Sequence, residues 1–165
     1  MEVRHANMND LAELAEIEAE CFPPAEAADK ESIEGRLKVF PNHFWVLEGT
    51  DDCGNKKIIS FVNGFVTDEA DLDDEMYEVP SLHKEDGKWQ MIFGLNTRPE
   101  YQRHGYAGIM LDAMEKQARE EGRCGLVLTC KDKLIHYYEA HGYKCEGVSK
   151  SVHGNVTWYQ MRVKF

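Results

Sequence analysis

The sequence predicts an α/β domain built around one mixed sheet of about seven strands, flanked by about four helices. Three observations carry this. Four stretches repeat apolar residues at helical spacing, and seven others read as short apolar or alternating runs. The two kinds interleave along the chain. Gly, Pro and Asn/Asp clusters punctuate the joins. At 165 residues the chain has the length of a single domain spanning 1–165, with no repeat or low-complexity linker to divide it.

The first strand is expected over Val3–Ala6. Asn7 and Asp10 then offer a helix start, and Leu11, Leu14, Ile17 and Cys21 keep helical spacing up to Pro23 and Pro24, which end the helix. A second helix is expected over about Asp29–Phe40, closed by Pro41. Residues 43–49 and 57–66 are β-rich and separated by a turn, Asp-Asp-Cys-Gly-Asn-Lys. Residues 67–88 are polar and acidic, and predict a long loop or irregular insertion. A strand over 89–97 follows, with Gly94 as a bulge or a close backbone approach. A helix runs from Gly105 to about Glu121 with Gly122 as its stop, then come a buried strand 125–129, a helix 132–142 and two closing strands.

Composition narrows the function. There are 19 Lys and Arg against 30 Asp and Glu, a formal net charge of −11. Phosphate backbones need a basic face, so nucleic acid is a poor partner. The apolar runs are too short to cross a bilayer, and the first ten residues lack an apolar signal core. The five cysteines are odd in number and form no C-x-x-C pair, which predicts reduced thiols in a cytoplasmic protein and no metal site.

The most informative stretch is the strand 89–97, the turn Arg98–His104 and the helix opening at Gly105. Such a turn presents backbone N–H groups at the positive end of a helix dipole, which suits a phosphate or pyrophosphate. Gly105 has no Cβ to hold a ligand away, and Ala107 and Gly108 are nearly as small. On these residues alone, a tight turn with small residues packing the helix on the sheet is an equal reading.

Gln102-Arg103-His104-Gly105-Tyr106-Ala107 resembles the (Q/R)-x-x-G-x-(G/A) signature of the GNAT superfamily of acyl-CoA-dependent N-acetyltransferases. Downstream, Tyr138-Glu139-Ala140-His141-Gly142-Tyr143 resembles that family's Y-E-x-x-G-(F/Y) element, and the order of elements matches the GNAT fold over the whole chain. Residues 89–147 look closest to the serotonin (arylalkylamine) N-acetyltransferase branch. That branch carries two histidines on the strand before the turn, where this chain has Met91 and Phe93.

The resemblance implies acetyl-CoA as co-substrate and a primary amine as acceptor. Pantetheine would insert in a gap between the strands at 89–97 and 125–129. Backbone groups of Leu95, Asn96 and Thr97 would pair with its amides, and an N–H near Leu95 would meet the thioester carbonyl. Gln102, Arg103, His104, Gly105, Tyr106, Ala107 and Gly108 would hold the pyrophosphate, with Arg98 and Arg103 supplying positive charge. Tyr138 matches the family's general acid and would also border the cofactor, with Tyr137 as packing. His83, Glu26 or a chain of waters would serve as base. Phe22, Pro24, Met91 and Phe93 would line an apolar acceptor pocket. The acidic residues Asp68, Glu69, Asp71, Asp73, Asp74, Glu75 and Glu78 are either a solvated loop or a rim that attracts cationic amines.

The expected activity is acetyl transfer to a small-molecule amine, arylalkyl amines included, by direct attack in a ternary complex, in a monomer or a homodimer. A protein N-terminal or lysine acetyltransferase is the enzyme-class alternative. A non-catalytic acyl-CoA-binding module is the alternative of another class.

Overall fold

A computed structural model describes residues 1–165. Its strands are β1 (Glu2–His5), β2 (Phe44–Thr50), β3 (Lys56–Asn63), β4 (Val66–Thr67), β5 (Trp89–Ile92), β6 (Gly94–Thr97), β7 (Gly125–Cys130), β8 (Lys144–Val148) and β9 (Tyr159–Lys164). Its α-helices are α1 (Leu11–Cys21), α2 (Lys30–Val39), α3 (Asp74–Glu78), α4 (Tyr106–Glu120) and α5 (Ile135–Ala140). The expected α/β class holds, with the strands divided between two sheets rather than gathered into one. The chain forms two compact units, each assembled from separated stretches. The first comprises Met1–Asn63 and Gly94–Met114, the second Gly64–Phe93 and Glu115–Phe165.

The first unit holds an antiparallel sheet in the order β1-β2-β3-β6. Its helices begin where local chemistry places them. The Asn7 side chain accepts from the Asn9 N–H at 2.9 Å, and Asp10 reaches back to the Asn7 N–H at 2.9 Å, before α1 starts at Leu11. Asp29 caps α2 by accepting from the Ser32 N–H at 2.8 Å. Leu14 and Ile17 of α1 and Ile33 and Leu37 of α2 bury against Phe44, Val46, Ile58 and Phe61 of the sheet. Each such side chain contributes about 1.5–3 kcal/mol of burial. Between β2 and β3, Asp51 accepts from the N–H groups of Cys53 and Asn55, both at 2.9 Å, and closes the expected hairpin.

The second unit holds a mixed sheet in the order β4-β5-β7-β9-β8, in which β5 and β7 run parallel and the other pairs antiparallel. Leu126, Val127 and Leu128 of β7 are buried, with Met91, Ile92, Met161 and Val163 from its neighbours. That fits the unbroken apolar run 126–128.

Three expectations need correction. The strand 89–97 is two strands: β5 pairs with β7 as far as Ile92, and β6 pairs with β3 from Gly94 onward. Phe93 is left between two ladders. Inside the second unit, the Gln90 side-chain amide reaches the carbonyls of Gly64 (3.1 Å), Phe65 (3.2 Å) and Met91 (2.8 Å) beside this break. The segment 67–88 is not a bare loop, since it carries α3 and a turn of 3-10 helix at Pro80–Leu82. Its acids hold it in place. Asp73 caps α3, and Asp74 accepts from Ser151 Oγ at 2.5 Å and the Val152 N–H at 2.9 Å. The helix over 132–142 is shorter, a 3-10 turn at Asp132–Leu134 leading into α5.

Gly64 lies against β5 with no room for a side chain. A Cβ there would sit 1.8 Å from the Met91 carbonyl oxygen and 2.6 Å from its carbon. Both are backbone atoms in a ladder, so Gly64→Ala is expected to destabilise by about 3 kcal/mol or more. Urea unfolding checks this, and an unchanged midpoint would mean that β5 can move aside.

Candidate active site

In the first unit, strand, turn and helix form one continuous device. The Arg98 N–H donates to the Ile59 carbonyl at 3.0 Å, which sets the alternation along the antiparallel β3–β6 pair. Gly94 and Asn96 therefore turn their backbone groups toward β3, and Leu95 and Thr97 turn theirs away. In its own sheet β6 is an edge strand, so Leu95 offers both N–H and C=O there. Thr97 offers its N–H, while its carbonyl accepts from Cys21 Sγ at 3.3 Å and Gln102 Nε2 at 3.2 Å.

The turn that follows is built by unusual backbone conformations. Arg103 and Gly105 have φ of 64° and 82°, left-handed values that only Gly takes without strain. His104 sits between them with Nδ1 near the carbonyls of Tyr101 (3.1 Å) and Gln102 (2.8 Å). Both partners are acceptors, so Nδ1 carries the proton. The His104 ring stacks on Tyr106, centroids 5.8 Å apart. Helix α4 opens at Tyr106, and the N–H groups of its first turn have no partner within the helix. A Cβ on Gly105 would meet nothing within 4 Å. The expected pyrophosphate residues Gln102–Gly108 thus form one accessible turn at a helix N-terminus.

Arg98 does not add its charge to this turn. Its guanidinium is buried against α1, with Glu13 at 2.7 Å, the Ile58 carbonyl at 2.6 Å, and Glu16 and Glu20 both at 3.8 Å. Of the two expected cations, Arg103 alone is exposed.

Phe22, Pro24 and Glu26 lie on the segment between α1 and α2, Pro24 exposed and the other two half-buried. The Glu26 and Ala27 N–H groups both donate to the Pro23 carbonyl at 2.9 Å, making a compact turn.

In the second unit, Tyr138 lies in α5 and is 7% exposed. Its ring meets Tyr137 and Tyr143 edge-on, at 5.2 and 5.6 Å. Burial first, and then Cys130, push the phenol well above its ordinary range, so it stays protonated at neutral pH. Tyr137, expected to pack, is instead exposed.

His83 is poorly placed as a base. The Val66 N–H donates to its Nδ1 at 3.0 Å, and its Nε2 lies 3.4 Å from Glu85. A neutral imidazole has one acceptor nitrogen; here it is occupied, and the remaining N–H faces a carboxylate. Met91 is fully buried in β5 and presents no wall to a ligand, because its position on the pleat points into the core. Phe93 is half-buried and packs against Phe65 (4.9 Å) and Tyr77 (5.1 Å).

Sequence reasoning missed Tyr77. It stacks on His153 at 5.3 Å with an interplanar angle of 13°, and its hydroxyl lies 2.9 Å from Thr129 Oγ1. His153 in turn lies 6.2 Å from Trp158. A run of partly exposed rings, Phe93, Tyr77, His153 and Trp158, results. Nothing local signals it, since its members are spread over 82 positions of sequence. The acidic segment is also less free than its composition implies. Asp68 pairs with Lys84, and Asp71 with Arg162 at 3.1 Å. Glu69, Glu75 and Glu78 remain exposed.

The acetyltransferase (GNAT) family model matches residues 11–143, and the chain belongs to that family. Over 81 residues it is 25% identical to a protein of Bacillus subtilis (strain 168) named as the uncharacterized N-acetyltransferase YjcF. That match covers 46% of this chain and 58% of the relative. Its fold is that of the loading GNATL domain of CurA from Lyngbya majuscula, with a TM-score of 0.82 and 21% identity over 99% of this chain and 96% of that one. The GphF GNAT-like decarboxylase in complex with isobutyryl-CoA matches equally well, with a TM-score of 0.82 and 20% identity over 99% of both chains. No helix is long and apolar enough to cross a membrane.

Gly105→Val is expected to keep the fold, because its side chain meets open space, while driving residue 105 out of the left-handed region. Acetyl-CoA affinity should fall at least about tenfold, roughly the loss of one good N–H contact to a phosphate. Calorimetric titration of both proteins, with circular dichroism as the check on folding, decides it.

Proposed function

We propose that this chain is an acetyl-CoA-dependent N-acetyltransferase that acetylates the primary amine of a small molecule with an apolar or aromatic body. The observation that carries the reading is the continuity of β6 with the Gln102–Gly108 turn. An edge strand with outward backbone groups runs straight into a left-handed turn at the N-terminus of a 15-residue helix. That arrangement suits a ligand with amides at one end and a pyrophosphate at the other. The family membership and the names of the relatives support an acyl-CoA thioester as that ligand.

In this reading Leu95 and Thr97 form the backbone edge that pairs with pantetheine, while Asn96, expected there too, keeps its backbone groups on β3. The Leu95 N–H polarises the thioester carbonyl, a contribution of about 3 kcal/mol when an oxyanion develops. The first-turn N–H groups of α4, with Arg103, bind the pyrophosphate. Tyr138, the expected general acid, directs its hydroxyl hydrogen bond at the departing thiolate. Acetyl passes directly to the amine, and the two most shielded thiols support this. Burial pushes the Cys21 thiol up to about 11 and the Cys130 thiol up to about 12, so neither is a thiolate ready to form an acyl-enzyme. The amine loses its proton to Glu26 or to water; His83 is set aside because its acceptor nitrogen is taken.

The aromatic run Phe93, Tyr77, His153 and Trp158 supports an aryl or apolar amine body, in keeping with the likeness to the arylalkylamine branch over residues 89–147. Glu69, Glu75 and Glu78 supply a modest field for a cationic amine.

Tyr138→Phe removes only the hydroxyl, and kcat is expected to fall about 10²–10⁴-fold with acetyl-CoA affinity unchanged. Thiol release under saturating substrates measures it, and a wild-type rate would return Tyr138 to packing.

A screen of arylalkylamines, polyamines, aminoglycosides and peptide N-termini at two ionic strengths tests the acceptor. Arylalkylamines should give the highest kcat/KM, and added salt should lower kcat/KM with little change in kcat. Peptides as best acceptors would favour the protein acetyltransferase alternative, and no thiol release with any amine the binding-module alternative.

A further inference from the structure

The first unit contains a buried polar cluster that no step of the proposed reaction uses. Glu18, on the last turns of α1, is 5% exposed, and both its carboxylate oxygens are engaged. Oε1 accepts from Asn96 Nδ2 at 2.6 Å, on β6. Oε2 accepts from the Ala28 N–H at 3.0 Å, at the far end of the segment that leaves α1. Behind them Arg36 of α2, also buried, donates to Asn63 Oδ1 at 3.0 Å. Gly94 lies among these groups. A Cβ on it would come 3.3 Å from Asn63 Nδ2, 3.6 Å from Asn96 Oδ1 and 3.7 Å from Glu18 Oε1. Asn96 is 1% exposed, and its Oδ1 makes no hydrogen bond.

A buried charge is expensive to desolvate, and its retention is explained by what it holds in place. Glu18 holds two things: the strand whose outer edge is assigned to the thioester, and the segment 22–28 assigned to the acceptor. We infer that Glu18 is a positioning residue that locks the 22–28 segment to β6, so that seating acetyl-CoA along β6 orders the acceptor segment. This rests on the acyl-CoA reading above and names a coupling within it.

The chemistry of the clamp makes it separable from simple packing. A carboxylate offers two acceptor oxygens, while a Gln of the same shape offers one acceptor and one donor. Glu18→Gln therefore keeps the Ala28 bond but either sets an NH2 group against the Asn96 NH2 group or, if the Asn96 amide turns over to offer Oδ1, leaves the buried Asn96 NH2 without the carboxylate it had, and the clamp is weakened in both cases. Asn96→Asp in the same chain supplies an acceptor facing that donor and restores both bonds, again without a change of shape. A residue that acted only by filling space would not be rescued by the second change.

The test is backbone hydrogen exchange read at segments 22–28 and 94–108, with and without saturating acetyl-CoA, in wild type, Glu18→Gln and the double variant. In wild type, acetyl-CoA should slow exchange in both segments, by about fivefold or more at 22–28, the low end of typical site-to-site coupling. In Glu18→Gln the slowing at 94–108 should persist and that at 22–28 should shrink; the double variant should regain it. Slowing at 22–28 that is equal in wild type and Glu18→Gln, or absent from wild type, overturns the inference while leaving acetyl-CoA binding intact. Absence of slowing at 94–108 in wild type overturns the acyl-CoA reading and this inference with it. If Glu18→Gln alone does not fold, the double variant must fold and show wild-type slowing at 22–28, and its failure counts against the clamp.

Discussion

The change of partner along residues 89–97 is the constraint on which the rest depends. Each backbone N–H and C=O needs a partner when buried, and one stretch of chain here serves two ladders of opposite sense. It runs parallel to β7 as far as Ile92 and antiparallel to β3 from Gly94. Switching partners forces a residue out of both ladders, and that residue is Phe93. It also forces side chains into backbone work, so Gln90 is buried with its amide on three carbonyls. Gly64 has to be bare for the chain to pass β5. The consequence for chemistry is that β6 enters the turn at 98–105 as an edge strand with a fixed alternation. Leu95 presents its amide outward because Arg98 is bonded to Ile59.

Charge is distributed with a similar economy. The chain is strongly acidic, yet several of its arginines are buried. Arg98 is held by Glu13, Arg123 by Glu121 and the Gly87 carbonyl, and Arg162 by Glu146 and Asp71 while lying 4.5 Å from the Trp89 ring centre. Removing one member of such a pair strands the other and typically costs 3–5 kcal/mol. These cations are structural, and what remains near the Gly105 turn is Arg103 and the helix terminus. In the proposed reaction, pyrophosphate affinity therefore rests mainly on backbone N–H groups, whose geometry a single φ can ruin.

What could be read from the sequence was what is decided locally. The Asn7–Asp10 box, the Asp29 cap, the Asp51 turn and the Gly105 turn each arise from residues within five positions of one another. The apolar runs that face the cores were legible for the same reason. The break at Phe93 was not, because it depends on which distant strands flank it. Nor was the ordering of the acidic segment, since Asp74 is held by residues 77 and 78 positions away and Asp71 by one 91 positions away. His83 looked available because a sequence names a residue type and not the direction of its lone pair; the bond from Val66 settles that direction. Met91 was assigned to a wall by analogy of position, and the pleat of β5 turns it inward.

The buried phenol of Tyr138 constrains what kind of acid it can be. A proton donor is most effective when its affinity for the proton matches that of the group it serves. Burial lifts this phenol above its ordinary range, and a thiolate leaving a thioester is a weaker base than the phenolate that full transfer would leave behind. Complete transfer early in the reaction is therefore uphill. A hydrogen bond from the same hydroxyl to sulfur is not, and in apolar surroundings it strengthens as negative charge collects on sulfur. In the proposed reaction Tyr138 thus stabilises the thiolate as it forms, and the excess proton of the acetylated amine completes the exchange as the products separate. The neutral phenol is the useful form throughout, and burial serves to keep it so.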